Sequence, residues 1–95
     1  MHFSRKFIEF VRNSLCIREV ISNEGVNLEK SGRRFLGLCP FHKEKTPSFS
    51  VVIEGQFYLC FGCGKGGDVF TFVMEKKKLN FPEAVEYLAT IYKIK

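Results

Sequence analysis

No stretch of this 95-residue chain approaches the roughly 20 consecutive apolar residues that a membrane-crossing helix needs, and its N-terminus has no apolar core of a secretory signal. A soluble, intracellular chain is expected. No internal repeat, low-complexity tract or linker is found either, so residues 1–95 read as a single domain. Cysteine is sparse: of four, three fall into a metal-ligand pattern and Cys16 is left without a mate. That spacing argues against a disulfide frame and for a reducing compartment. Acidic residues are also in deficit, 10 against 15 Lys and Arg, for a formal net charge of +5.

What is present is apolar enough to fold. Hydrophobic residues make up 45% of the chain and eleven are Phe, which excludes disorder. A domain of this length buries only roughly 60–65% of its unfolded surface, a size at which a metal staple matters. The staple is visible as two hooks, Cys39-Pro-Phe-His42 and Cys60-Phe-Gly-Cys63, separated by residues 43–59. A two-residue spacer lets one tight turn aim two ligands at one ion. Pro40 fixes a backbone angle after the first ligand, and Gly62 and Gly64 permit positive φ around the last. Three thiolates and an imidazole fill all four positions of a Zn²⁺ tetrahedron and leave no place for an activated water, so the expected cofactor is one structural zinc. The site is then formally −1 and the chain stays basic.

Around the hooks the hydrophobic period changes twice. Phe7, Ile8, Val11 and Leu15 recur at helical spacing, and Ile17, Val20 and Ile21 predict a second short helix ending near Asn23-Glu24-Gly25. Cys16 at the joint reads as a small buried hydrophobe, since no neighbour would activate its thiol. From Val26 the period is two: Val26 and Leu28, a turn at Ser31-Gly32, then Phe35, Leu36 and Leu38 predict a hairpin leading into Cys39. A loop, Lys43 to Pro47, precedes a second hairpin, Ser48–Ile53 and Gln56–Leu59, leading into Cys60. Gly64 to Gly67 reads as a flexible loop, Asp68 as the N-cap of a helix over Val69–Lys78, and Asn80-Phe-Pro-Glu83 as a capping box opening a last helix. The expected fold is α+β: an antiparallel zinc-ribbon sheet flanked by N- and C-terminal helices, with one sheet face free.

Lys30, Arg33, Arg34, Lys43, Lys45 and Lys65 cluster around the hairpins and hooks, and Phe41, Phe49, Phe57, Tyr58 and Phe61 interleave with them. Such a surface would attract phosphates and stack unpaired bases, with Tyr58 and Phe61 the expected platforms; Tyr58 faces outward if Phe57 faces the core. The Lys76-Lys77-Lys78 run is expected to complement the negative end of a helix dipole. His2 carries no signal.

The run Gly37-Leu-Cys-Pro-Phe-His42-Lys-Glu-Lys-Thr-Pro-Ser-Phe-Ser50, followed by Cys60-Phe-Gly-Cys63-Gly-Lys-Gly-Gly-Asp68, resembles the zinc-binding domain of bacterial replicative primases of the DnaG type. The resemblance extends to Val26–Arg33 and to Asn80–Val85. It implies a module that binds single-stranded DNA template and recognises initiation sites for an enzyme making RNA primers in the bacterial cytoplasm. It further implies a separate polymerase domain, of the same or a neighbouring primase, and a helicase-binding region, neither expected within these residues. No cluster of carboxylates able to hold two catalytic Mg²⁺ ions is seen in the chain, so it is expected to bind and not to polymerise. Two rivals are weighed. His42-Lys43-Glu44 with Cys60-Phe-Gly-Cys63 superficially matches zinc nucleobase deaminases, but Cys39 would occupy the water position and Leu59 stands where that signature has Pro. The other is a zinc ribbon that docks proteins and never touches nucleic acid.

Overall fold

Apolar residues at helical spacing at both ends of the chain and at period two in the middle produce four helices packed on one side of a sheet. The computed structural model describes residues 2–43 and 45–95. In order, the elements are α1 (Arg5–Asn13), α2 (Ile17–Asn23), β1 (Glu29–Ser31), β2 (Arg34–Gly37), β3 (Phe49–Val52), β4 (Phe57–Cys60), β5 (Gly66–Gly67), α3 (Val69–Lys77) and α4 (Phe81–Ile91). The strands pair antiparallel in sequence order, a five-stranded meander.

Register assigns every strand residue to a face. Phe35, Val51 and Tyr58 lie opposite one another across β2, β3 and β4, as do Gly37, Phe49 and Cys60. Phe49, Val51, Tyr58 and Cys60 are fully or almost fully buried, so this is the helix-covered face. Phe41, Phe49, Tyr58 and Phe72 form one aromatic cluster there, with ring centroids 5.3–6.3 Å apart. By alternation, Arg34, Val52 and Phe57, and next to them Leu36, Ser50 and Leu59, belong to the opposite face, where Arg34 and Phe57 are exposed, Leu36, Val52 and Leu59 half-buried and Ser50 buried.

Helix ends follow the local sequence. Asp68 accepts from Thr71 N–H at 2.9 Å to cap α3, and the expected capping box is formed, Asn80 and Glu83 each accepting from the other's backbone N–H at 2.9 Å. Helices α2, α3 and α4 meet at Glu24, which accepts from the Tyr87 hydroxyl at 2.6 Å and pairs with Lys77 at 3.1 Å.

Three expectations change. The first hairpin begins at Glu29, not Val26, and turns on Gly32 and Arg33, with Gly32 at φ +64° in the position where a type II′ turn demands a positive φ. The supposed flexible loop before Asp68 contains strand β5. Only glycine fits there, since a Cβ on Gly66 would lie 2.8 Å from the Tyr58 carbonyl oxygen. Cys16 is half-buried and serves as the N-cap residue of α2. Among the described residues, no helix is long and apolar enough to cross a membrane.

Candidate metal centre and nucleic-acid surface

The two hooks lie at the ends of β2 and β4, which bring them together because both strands border β3. Cys60 closes β4, and Cys39 follows two residues after β2. In the first hook Phe41 N–H points at the Cys39 sulfur at 3.4 Å; in the second Gly64 N–H donates to the Cys60 carbonyl at 2.8 Å, with Gly64 at φ +80°. The result is one cluster: a ligand atom from each of Cys39, His42, Cys60 and Cys63, all within 4.8 Å of one another. Cys39 Sγ to Cys63 Sγ is 3.9 Å and His42 Nε2 to Cys60 Sγ is 3.4 Å. A zinc tetrahedron with about 2.3 Å sulfur and 2.0–2.1 Å nitrogen bonds has S···S edges near about 3.8 Å and S···N edges near about 3.6 Å. The donor set and its spacing suit one structural zinc with no open position.

Neighbouring atoms prepare the donors. His42 Nδ1 lies 3.2 Å from the Lys43 carbonyl and Nε2 lies 3.4 Å from the Cys60 sulfur, so with Nδ1–H donated to the carbonyl Nε2 is the nitrogen placed to hold a metal. Burial pushes the Cys39 thiol up to about 12, with Cys60 and Cys63 adding to the effect. Burial also works against a thiolate at Cys60, but hydrogen bonds from Ser48, His42 and the Cys63 and Gly62 backbones outweigh it and bring that thiol down to about 6. A dipositive ion is what makes three neighbouring thiolates compatible. Cys39 and Cys60 are buried while Cys63 is exposed, so the site is shut on its inner side.

The expected nucleic-acid residues are not all brought together. Tyr58 is a correction: it is 1% exposed, within the aromatic cluster, and burial raises its phenol pKa. Alternation then turns Phe57 outward, 40% exposed, on the opposite face, and leaves Phe61 at the same parity 65% exposed. Arg34 shares that face, in register with Val52 and Phe57. Lys30 is in register with Phe35, at the parity opposite to Arg34, and Glu29 takes the Leu36 parity; both border a groove of about 430 Å³ with Leu36, Leu38 and Pro47, while Lys43 and Lys45 line an adjoining hollow with Leu38, Cys39 and His42. Arg33, on the hairpin turn, is highly exposed and lies 3.9 Å from Glu54. Lys65 instead turns to α3, 3.3 Å from Glu75. Glu44, the acid of the deaminase-like element, lies outside the described residues. Sequence reasoning missed Phe57, Leu36 and Leu38 as surface residues of the open face; the alternation was visible, but not which parity the helices would cover.

A five-stranded antiparallel sheet with a Cys₃His cluster at one end and helices over one face defines a zinc ribbon of the primase zinc-binding type. The family model described as CHC2 zinc finger matches residues 3–95, and the chain belongs to that family. It is 52% identical over 85 residues to a DNA primase of Pseudomonas putida and 56% identical over 82 residues to one of Listeria monocytogenes, covering 90% and 86% of this chain. It spans 13% of the length of either relative. The crystal structure of the Aquifex aeolicus primase, comprising zinc binding and RNA polymerase domains, superposes with a TM-score of 0.86 at 42% identity, over 92% of this chain and 21% of that one. The chain thus corresponds to the zinc-binding region of DNA primases.

Proposed function

We propose that residues 1–95 act as the single-strand template-binding and initiation-site-recognition module of a DNA primase that makes RNA primers for replication. The observation that carries this reading is the sheet face turned away from the aromatic cluster: Arg34, Phe57 and Phe61 share its parity, and Lys43 and Lys45 line a hollow beside Leu38. Cations at the rim attract phosphates and exposed rings stack bases without regard to sequence. Because metal-pinned hairpins fix this face before the strand arrives, little conformational entropy is lost on binding.

Polymerisation belongs to a polymerase domain of the same or a neighbouring primase, and contact with a replicative helicase to further regions. Among the described residues, the only group of three or more His, Cys, Asp or Glu side chains close enough to share an ion is the zinc cluster, and its donor set suits a closed structural site. The module's part is to hold template bases and present them.

The test is titration of the zinc-loaded chain with a single-stranded oligonucleotide at several salt concentrations. Three to five phosphate contacts give a log–log slope of roughly −2 to −3.5. No binding at low salt, with zinc bound and the fold intact, would favour a protein-docking ribbon instead.

A further inference from the structure

On the opposite side of the zinc site from the open face, the end of α3 meets the first hook and the loop leading into β5. Pro40, Phe41, Lys65, Glu75, Lys76 and Lys78 line a pocket of about 260 Å³ there. Three lysines and one glutamate thus line it, and the Glu75 carboxylate is engaged by Lys65 at 3.3 Å. Lys76 and Lys78 have no acidic partner among the described residues. Lys77, between them, leaves the pocket altogether and pairs with Glu24 at 3.1 Å, over the Tyr87 ring.

A helix-dipole role explains lysines in the last turn but not the backbone at Lys78. That residue caps α3 in the left-handed conformation, φ 58° and ψ 48°, where glycine is preferred because a Cβ is disfavoured. A lysine held at a glycine position, with its side chain lining a cationic pocket, points to a ligand.

We propose that this pocket is a second anion site, which takes a phosphate group through Lys65, Lys76 and Lys78. At about 260 Å³ it falls below the roughly 300–1,000 Å³ of pockets that enclose a whole small molecule, so it accepts the phosphate and leaves the rest of the ligand outside. Lysine ammoniums suit this task as point charges without a fixed fork. The phosphate comes either from the end of a nucleotide or from the backbone of a nucleic-acid strand. The pocket shares no residue with the open face, so its occupancy does not depend on what that face binds.

The test uses the zinc-loaded chain, with inorganic pyrophosphate, ATP and a single-stranded oligonucleotide as probes. Backbone amide shifts upon pyrophosphate addition are expected at Lys65, Lys76 and Lys78 and not at Arg34. K76A is expected to weaken pyrophosphate about tenfold, the loss of one charge-assisted contact, while K77A, with the same change of net charge, leaves it within about twofold. K78G gives the decisive pairing: a higher Tm, because the left-handed position is relaxed, together with weaker pyrophosphate binding. If ATP behaves as pyrophosphate does and the oligonucleotide is indifferent to K76A, the ligand is a free nucleotide; if K76A also weakens the oligonucleotide, it is a strand phosphate. Pyrophosphate binding that K76A and K78G leave unchanged, or shifts spread over all lysines without saturation, overturns the proposal.

Discussion

The side-chain amide oxygen of Gln56 accepts a hydrogen bond from the Ile17 backbone N–H at 2.8 Å. Ile17 opens α2, whose N-cap residue, Cys16, makes no side-chain cap, so a residue 39 positions away supplies it. The same Gln56 sits at φ 52° in the turn between β3 and β4 and donates through its amide nitrogen to Ile53 at 2.8 Å. One side chain therefore fixes the second hairpin to the helix layer. Gln56→Ala is expected to cost about 1 kcal/mol, the usual loss for a missing cap, and to lower Tm by several degrees in a domain this small. Thermal melts of the zinc-loaded chain check it; an unchanged Tm would show that the α2 terminus finds another acceptor.

Removal of zinc is expected to unfold the chain. Folding brings the ligand atoms of both hooks within 4.8 Å of each other, so binding free energy, of the order of 10–16 kcal/mol in small zinc peptides, is folding free energy here. Cys60→Ser, and exhaustive chelation of the unaltered chain, should each abolish the cooperative transition in a calorimeter. A sharp transition that survives chelation would contradict the structural role.

The two residues that exchange roles between sequence and structure separate stacking from packing. Phe57→Ala is expected to weaken single-strand binding by about 1–3 kcal/mol with little effect on stability. Tyr58→Phe should leave affinity unchanged, since the ring is buried and its hydroxyl has no hydrogen-bond partner among the described residues. Oligonucleotide titration of both variants, with zinc content measured alongside, decides between the faces.

Arg34→Ala, with zinc content intact, is expected to weaken binding and to make the log–log salt slope shallower by about 0.7, one phosphate contact on a single strand. Arg34 has no ion-pair partner among the described residues, so its removal strands no buried charge. Unchanged affinity at low salt would remove Arg34 from the surface.

Asp68 supplies the pH dependence. Burial opposes its charged form, but the Thr71 backbone and the Arg12 guanidinium more than compensate, and its pKa lies below the ordinary carboxylate value. A depressed folded pKa contributes stability that is present above the unfolded value, near about 3.9, and is lost as pH falls through the folded one. Asp68→Asn is expected to lower Tm at pH 7 and to narrow its gap to the parent as pH falls toward the unfolded carboxylate value, as followed by melts from pH 7 down to the pH at which ligand protonation releases zinc.

Much of this was legible because it is local. A hook of two ligands around two residues closes within one turn, an Asn-x-x-Glu capping box closes within one helical turn, and the alternation of β3 and β4 is written residue by residue. None of these needs a distant partner to be recognised. The reach of Gln56 to Ile17, the strand at Gly66–Gly67 and the departure of Lys65 from the other basic residues all join distant positions, and no spacing rule covers them.

The chain's own order of residues determined that a metal would be held, by which four side chains, and that strands rather than helices would carry them, since ligand spacing and hydrophobic period are properties of short segments. Tertiary structure alone decided which side of the sheet faces water. Period two sorts residues into two sets without saying which set is inside; that choice fell to the helices, which placed Phe72 against Tyr58 and so left Phe57 in solvent.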